Sequence, residues 1–240
     1  MLGYRVSETP KKRTLIPMDK SYSMTESPSG TAGFGRVGGQ RRPSSAGDAW
    51  HFVSTFVLHP KITGAVAPSS RKLAEAMISG ADLQNANLVI ELGAGTGAIT
   101  ELIRERMKPN ATLISLEMNS SAVDRLRRRF RGLHVICDSA ENLRLHLDFL
   151  GHRHADCIIS SLPWVSMGTD LQGRLLDSIV ASLKPGGSFS TMAYLHASAY
   201  LAARRFKAEL GRHFGEIKRS KVVWANVPPA FAYYGRRNVA

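Results

Sequence analysis

LVIELGAGTG, residues 88–97, joins a short apolar run to three glycines at alternate positions and carries one acid, Glu91. The apolar run has the length of a buried β-strand, and apolar residues after Gly97 recur at helical spacing. Glycines at such a junction permit a tight turn and let a ligand approach the backbone closely. A strand, a glycine turn and a helix in this order predict the first unit of an open α/β sheet.

Strand-like and helix-like patterns alternate after this turn, which predicts parallel strands joined by helical crossovers. The predicted strands cover residues 88–92, 112–116, 133–137, 157–161 and 188–192, followed by a closing pair at 217–225 and 230–234. The predicted helices cover residues 98–107, 121–130, 171–183 and 197–210, and a turn is predicted at 184–187. We expect the closing pair to be antiparallel at the sheet edge. The predicted fold class is therefore α/β, a Rossmann-like seven-stranded, mostly parallel sheet sandwiched by helices.

The chain before the first strand divides into two parts. Residues 1–48 are rich in Ser, Gly, Pro and Arg, and this composition predicts a disordered leader. Residues 49–87 are predicted to form an N-terminal helical extension, with one helix closed by Pro60 and a second that starts at Ser69 or Ser70. Residues 88–240 then form the α/β domain.

The charge and the cysteines of the chain indicate which kinds of partner and compartment to expect. The chain has 240 residues with 32 Lys and Arg against 19 Asp and Glu, which gives a formal net charge of +13 and favours an anionic partner such as RNA or a lipid surface. Cys137 and Cys157 lie in apolar runs, so we expect buried, reduced thiols, no metal site and a reducing compartment. No stretch approaches the roughly 18 apolar residues that span a bilayer, so we expect a soluble or peripheral protein.

Two further acids follow the second and third predicted strands. Glu117 comes 20 residues after Gly97, and Asp138 follows the third strand. The carboxyl ends of parallel strands meet at the edge where open α/β sheets bind ligands. There Glu117 can accept both hydroxyl hydrogens of a ribose, and Asp138 or the next amide can meet an adenine edge. The glycine spacing is G-x-G-x-G, which differs from the G-x-G-x-x-G of dinucleotide sites.

These features together resemble the class I S-adenosylmethionine-dependent methyltransferases. Within them the chain is similar to the bacterial phospholipid N-methyltransferase group, which is related to the ribosomal RNA adenine dimethylases. The resemblance runs from about Trp50 to Arg237, and its carriers are Phe56, Pro60 and residues 64–70, 91–97, 160–163, 184–187 and 224–230. It implies S-adenosylmethionine as cofactor, bound by Glu91, Gly93, Ala94, Gly95, Thr96, Gly97, Glu117, Met118, Asp138, Ser139 and Ser160. It also implies that residues 49–87 form the entrance for membrane and substrate.

The candidate acceptor site follows the fourth strand. The RNA relatives have Asn-Leu-Pro-Tyr or Asn-Pro-Pro-Tyr where this chain has Ser161, Leu162, Pro163 and Trp164. Serine keeps one acceptor oxygen but loses the planar amide, which weakens the case for flipped-base recognition. Trp164 could stack on a base, enclose a methylated ammonium by cation–π attraction, or simply pack. The predicted substrate-binding residues are Ser161, Pro163, Trp164, Lys61 and Arg71, the last two for a lipid phosphate.

Tyr194 and His196 follow the fifth predicted long strand and are the candidate catalytic residues. His196 is the natural proton acceptor, while Tyr194 could orient an amine or line a cage for a cationic product; the alternative is that both are ordinary loop residues. The leading hypothesis is methyl transfer to the head-group amine of a membrane lipid, with the enzyme cytoplasmic and peripheral on the inner face of an anionic or zwitterionic membrane. The alternatives are an RNA adenine N6-methyltransferase and a non-catalytic membrane or nucleic-acid binding module. Arginine and lysine runs at 125–131 and 204–212 could dock on anionic lipid.

Overall fold

The computed structural model describes residues 70–239. The predictions of a leader over 1–48, of the helix closed by Pro60 and of a substrate contact at Lys61 lie outside the described residues. The strands are β1 (Leu88–Leu92), β2 (Thr112–Leu116), β3 (His134–Ile136), β4 (Ala155–Ser160), β5 (Leu183–Tyr194), β6 (Lys218–Arg219) and β7 (Ala230–Arg236). The helices are α1 (Arg71–Ile78), α2 (Ala98–Arg106), α3 (Ser120–Arg129), α4 (Leu143–Phe149), α5 (Thr169–Ser182) and α6 (Leu201–Phe214).

The strands form one seven-stranded sheet in the order β3-β2-β1-β4-β5-β7-β6. The five strands β1 to β5 run parallel, and β7 pairs antiparallel with both β5 and β6. The predicted fold class is therefore confirmed. The chain adds β2 and β3 on one side of β1 and then crosses over to add β4 and β5 on the other side, so the strand order reverses between β1 and β4. This switch point is where open α/β sheets bind their ligands.

Helices cover both faces of the sheet because its central strands are apolar on both sides. On one face Ile90, Ile158 and Phe189 belong to a buried cluster that includes side chains of α4, α5 and α6. On the other face Val89 and Ile159 belong to a cluster with side chains of α1 and α2. The sheet is thereby fixed from both sides, and the loops at its carboxyl edge stand on a rigid base.

Several local predictions are wrong. Helix α4 was not predicted, because its only fully buried side chains are Leu143 and Leu147, one turn apart among polar residues. The residues predicted as a turn at 184–187 lie inside β5, where the ladder to β4 shifts register before it resumes at Ser188. Of the predicted strand over 217–225 only β6 and an isolated bridge from Val223 to Ala230 form; at Ser220 the Ala232 amide donates to the side-chain hydroxyl, at 2.9 Å, in place of a backbone carbonyl.

The two cysteines differ. Cys157 is buried in β4, as predicted, and burial raises the pKa of its thiol to about 12. Cys137 is exposed, which contradicts the prediction, because it follows the edge strand β3 and has no second strand outside it. Both are free thiols.

Asn226 connects the loop before β7 to the beginning of α1. Its side chain is 2% exposed; Oδ1 accepts from the Ser70 amide at 3.0 Å, and Nδ2 donates to the Pro228 carbonyl at 2.7 Å. Ser70 in turn caps α1, since its hydroxyl accepts from the Leu73 amide at 3.2 Å. Two segments that are 156 positions apart, and that both carry the resemblance, are therefore neighbours at one end of the sheet.

We expect Asn226→Ala to lower the free energy of unfolding by about 1–2 kcal/mol, because the buried side chain loses its hydrogen bonds to the half-buried Ser70 amide and Pro228 carbonyl. Urea unfolding at 25 °C measures this change. Asn85→Ala is the matched control, because Asn85 is exposed and bonds only to Asp82, and it should stay within about 0.5 kcal/mol of wild type. Equal effects of the two variants would contradict a structural role for Asn226.

Candidate functional site

The glycine turn leaves β1 at the switch point. Gly93, Gly95 and Gly97 have φ values of 77°, 52° and 82°, which lie in the left-handed region that favours glycine. A Cβ on Gly93 would come 3.3 Å from Leu162 Cδ2, and one on Gly97 would come 2.5 Å from Phe130 Cε2. The turn therefore needs glycine for its backbone and for close packing, and it presents the start of α2 at the carboxyl edge.

Glu117 holds this turn in place. Its Oε2 accepts from the Gly95 amide at 2.9 Å and its Oε1 accepts from the Asn119 amide at 2.8 Å. The side chain is 7% exposed, and it lines a cleft. Because a carboxylate oxygen has two lone pairs, each oxygen keeps one for a ligand in the cleft. Glu117 is thus oriented by the protein and still able to accept two hydrogen bonds.

The cleft at the ends of β1, β2 and β3 encloses about 510 Å³, including solvent at its mouth. Five of the predicted cofactor residues line it, namely Gly93, Glu117, Met118, Asp138 and Ser139. The rest of the cleft lining is mostly apolar and was not predicted from the sequence. It is formed by Leu116, Ala140, Glu141, Leu162, Met167, Leu171 and Leu175. The available signal was the apolar spacing of residues 162–175 directly after the fourth strand. A cleft lined by both acids and aliphatic side chains can hold a polar sugar and a flat base together.

Asp138 lies in the cleft with its carboxylate already hydrogen-bonded. It accepts from His146 Nε2 at 2.7 Å, from the Ser139 amide at 2.7 Å and from Asn142 Nδ2 at 3.0 Å. Burial alone would raise the pKa of Asp138, but these hydrogen bonds outweigh it and lower the pKa. The carboxylate is therefore a fixed negative group beside the cleft, and the Ser139 amide that follows it points back to it.

Ala94, Thr96 and Ser160, which are also predicted cofactor residues, do not line the cleft. Ala94 packs in a buried cluster against α3, and the carbonyl of Thr96 accepts from Arg129 at 3.0 Å. The Ser160 hydroxyl is buried at the end of β4 and accepts from the Leu162 amide at 3.3 Å.

Glu91 is fully buried beneath the turn. Its Oε2 accepts from the Thr100 hydroxyl at 2.7 Å and from the Ser115 hydroxyl at 2.8 Å, while Oε1 has no hydrogen-bond partner among the described residues. Burial raises the pKa of this carboxyl to about 7, partly offset by the two hydroxyl hydrogen bonds. The group can therefore change its charge near neutral pH.

This pKa shift predicts a pH-dependent stability. The folded protein holds the Glu91 proton more tightly than the unfolded chain, whose ordinary pKa is about 4.5, so the stabilisation is complete below about pH 4.5 and is lost as the pH rises to about 7. Relative to Glu91→Gln, wild type should lose about 3 kcal/mol of unfolding free energy between pH 4.5 and 7. Urea unfolding without ligand across this range tests it, with Glu75→Gln, an exposed acid, as control. Parallel pH curves for wild type and Glu91→Gln would contradict the prediction.

The predicted catalytic pair lies on the same edge, beyond the switch point. The last pairing of β5 with β4 is Thr191 with Ser160, so Tyr194 projects three residues further. The rings of Tyr194 and His196 stack with centroids 5.8 Å apart, and burial raises the pKa of Tyr194 to about 12. His196 itself is exposed. Because β5 is two strands from β1, the pair stands about 10 Å from the glycine turn along the edge.

The structure supports the packing alternative for Trp164. Its side chain is 2% exposed, its ring stacks on Phe206 at a centroid distance of 5.0 Å, and its N–H donates to the Thr191 hydroxyl at 2.9 Å. Ser161 and Pro163 are half-buried beside it, and the Ser161 amide donates to the Leu92 carbonyl at 2.8 Å. The indole is thus part of the core that supports this loop.

Arg71 is also engaged. Its guanidinium pairs with Glu105 at 2.6 Å and with Glu75 at 3.5 Å, so it joins α1 to α2 on the surface.

Among residues 70–239 no group of three or more His, Cys, Asp and Glu side chains is arranged to hold a metal ion. None of the helices described is long and apolar enough to cross a membrane.

Comparisons with known proteins give consistent results. A family described as a methyltransferase domain matches residues 89–187. An ornithine lipid N-methyltransferase of Singulisphaera acidiphila is 31% identical over 192 residues, which cover 79% of this chain and 96% of that protein. A ribosomal RNA small subunit methyltransferase A of Parasynechococcus marenigrum is 32% identical over 108 residues, but these cover 45% of this chain and 33% of that protein. Among solved structures, a SAM-dependent O-methyltransferase of Thermotoga maritima superposes with a TM-score of 0.55 at 12% identity, over 77% of this chain and 71% of that one.

Proposed function

This chain belongs to the S-adenosylmethionine-dependent methyltransferases, and we propose that it methylates the head-group amine of a membrane lipid. Its methyl donor is S-adenosylmethionine. The observation that carries the acceptor proposal is the likeness to an ornithine lipid N-methyltransferase, which extends over nearly the whole of that relative. An amino-acid-containing lipid is accordingly the first acceptor to test, with phosphatidylethanolamine as the second.

The residues around the cleft fit the donor. Glu117 keeps two free lone pairs for the ribose hydroxyls, and the glycine turn leaves its backbone open to close approach. Glu91 is buried beneath the turn and does not line the cleft, so its ionised carboxylate acts on a cationic ligand through its charge and not by contact. The aliphatic wall that includes Leu162 and Met167 suits the faces of an adenine ring. The donor supplies a methyl group already activated on a sulfonium.

Catalysis then depends on placing the acceptor amine in line with that methyl group and on removing one proton from the amine. We assign the proton to His196, because an imidazole nitrogen can act as a general base and this ring is open to solvent, to which it can pass the proton. Tyr194 stays a neutral phenol, since burial raises its pKa to about 12, so its oxygen can accept from the amine and its ring can face a methylated ammonium. Positioning alone contributes much of the rate acceleration in such a transfer.

The RNA alternative has less support. The matching part of the ribosomal RNA relative is a third of that protein. Where the RNA enzymes have an asparagine and a stacking tyrosine, this chain has Ser161 and a Trp164 that is packed in the core.

We propose that the enzyme works at the inner face of the membrane as a peripheral protein.

Incubation of the purified protein with labelled S-adenosylmethionine tests the acceptor directly. Separate reactions contain ornithine lipid, phosphatidylethanolamine or ribosomal RNA, each lipid dispersed in detergent. Label in a lipid supports the proposal and identifies the head group. Label in RNA alone would overturn it.

A further inference from the structure

Four large apolar side chains are exposed at the carboxyl edge of the sheet, on the side of the candidate catalytic pair. Their exposed fractions are 71% for Trp224, 68% for Val227 and 61% each for Tyr200 and Leu201. Trp224 and Val227 lie in the loop between β6 and β7, and Tyr200 and Leu201 lie at the start of α6. We call these four residues the apolar rim.

The two parts of the rim belong to neighbouring segments. The Leu195 amide, which directly follows β5, donates to the Pro229 carbonyl at 2.9 Å. Tyr194 at the end of β5 pairs with Ala230 at the start of β7. The rim therefore borders the end of β5, where the acceptor amine is proposed to be held.

The loop carries its polar and apolar residues in an unusual arrangement. Asn226 is buried and hydrogen-bonded to the Ser70 amide and the Pro228 carbonyl, whereas Trp224 and Val227 on either side of it face solvent. A loop that met only water would expose the amide and bury the indole. The buried amide anchors the loop from beneath and holds the apolar side chains outward. Such a surface is typical of an interaction site.

Cations surround the rim. Arg204 and Arg205 on the second turn of α6 and Lys221 in the loop are exposed, and in the part of the chain that the structure describes none of the three forms an ion pair. Tryptophan and tyrosine favour the interface between water and lipid, and basic residues beside them favour anionic head groups. The charge and the aromatic residues thus point to the same partner.

We propose that the apolar rim inserts into the interfacial layer of an anionic membrane and turns the acceptor side of the active edge toward the bilayer. This inference rests on the proposed function, because it concerns how a lipid reaches that site. It identifies a contact surface on the loop before β7 and the start of α6, and this loop is anchored to the start of α1 by the Asn226–Ser70 hydrogen bond.

The fluorescence of Trp224 tests insertion. The chain has three tryptophans, of which Trp164 is buried, so in a Trp50→Phe background Trp224 is the exposed emitter. We expect phosphatidylglycerol-containing vesicles to shift its emission to shorter wavelength, and brominated acyl chains to quench it. Emission that does not respond to these vesicles, or that responds to RNA and not to vesicles, would overturn the proposal.

A paired substitution tests the consequence for turnover. Trp224→Ser with Val227→Ser should weaken vesicle binding at least about tenfold in flotation, and lower activity on lipid in vesicles accordingly. Activity on the same lipid dispersed in detergent should stay at the wild-type level. The matched control is Leu145→Ser with Phe149→Ser, two equally exposed apolar residues on α4, whose end leads to the opposite edge of the sheet. This control should bind vesicles as wild type does.

The outcomes separate the two proposals. If wild type methylates no lipid in detergent, the proposed function fails. If it methylates dispersed lipid while the rim variant and wild type bind vesicles equally, only the rim proposal fails. If the rim variant loses activity in detergent as well, with an unchanged unfolding midpoint, the rim acts in the acceptor site and the membrane-insertion proposal is overturned.

Discussion

Replacing Glu117 with alanine is expected to weaken binding of the donor at least about 100-fold. Two hydrogen bonds from ribose hydroxyls to a carboxylate are worth about 1.5 kcal/mol or more each, and together these exceed the energy of a hundredfold change. The variant also releases the amide of Gly95, which Glu117 holds at 2.9 Å. Isothermal titration calorimetry with S-adenosylhomocysteine measures the affinity without turnover.

The matched control is Glu141→Ala. Glu141 is an acid that lines the same cleft, but its carboxylate pairs with Arg174 at 2.7 Å, so we expect less than a fivefold change. A 2′-deoxy analogue of S-adenosylhomocysteine separates the ribose contact of Glu117 from its hold on the Gly95 amide. If the ribose contact exists, removing the 2′-hydroxyl should lower the affinity of wild type more than it lowers the affinity of Glu117→Ala. Binding by Glu117→Ala within about threefold of wild type would refute the ribose contact.

Gly97→Ala is expected to reduce both stability and donor affinity. Its φ of 82° is strained for any residue with a side chain, and its Cβ would come 2.5 Å from Phe130 Cε2 and 3.0 Å from Leu126 Cδ2. Backbone strain of about 1–2 kcal/mol and overpacking of about 1–3 kcal/mol should together lower the unfolding free energy by about 3 kcal/mol. Because Gly97 directly precedes α2 and its overlap with Phe130 disturbs the turn, we expect the affinity for S-adenosylhomocysteine to fall at least about tenfold.

Gly132→Ala is the control that separates backbone strain at a positive φ from steric overlap of the added Cβ. Gly132 has a φ of 80°, almost the same as Gly97, but a Cβ there meets no atom within 4 Å. This variant should lose only about 1–2 kcal/mol and keep its donor affinity. If the two variants unfold at the same urea concentration, the packing of Phe130 against the turn does not explain the need for Gly97.

The repeating pattern of the chain made its central sheet predictable. β1 and β2 have the predicted bounds, because their apolar residues end at a glycine or an acid that cannot extend the run. Helix α4 was missed because its two buried leucines are too few to define a helical period. The strand predicted over 217–225 is longer than β6, because the alternation of polar and apolar residues continues past the point where the regular backbone pairing with β7 is interrupted at Ser220.

The candidate site was predictable where polar residues define it and not where packing does. Glu117 and Asp138 were identified from their place at strand ends, and both line the cleft. The aliphatic lining was not identified, because leucines in an α/β chain carry no sign of whether they face a core or a cleft. The buried position of Trp164 depends on Phe206 and Thr191, which are distant in sequence. No local pattern could have shown that contact.

The hydrogen bond between Ser70 and Asn226 can form only after most of the described chain has been synthesised. The lining of the cleft ends at Leu175, so a growing chain carries all of it before Asn226 is synthesised. The two partners of the bond are 156 residues apart, which at about 5–20 residues per second is a delay on the order of 8–30 s. A nascent chain stalled before Asn226 therefore has the whole cleft sequence but lacks the hydrogen bond that anchors the loop before β7 to the start of α1.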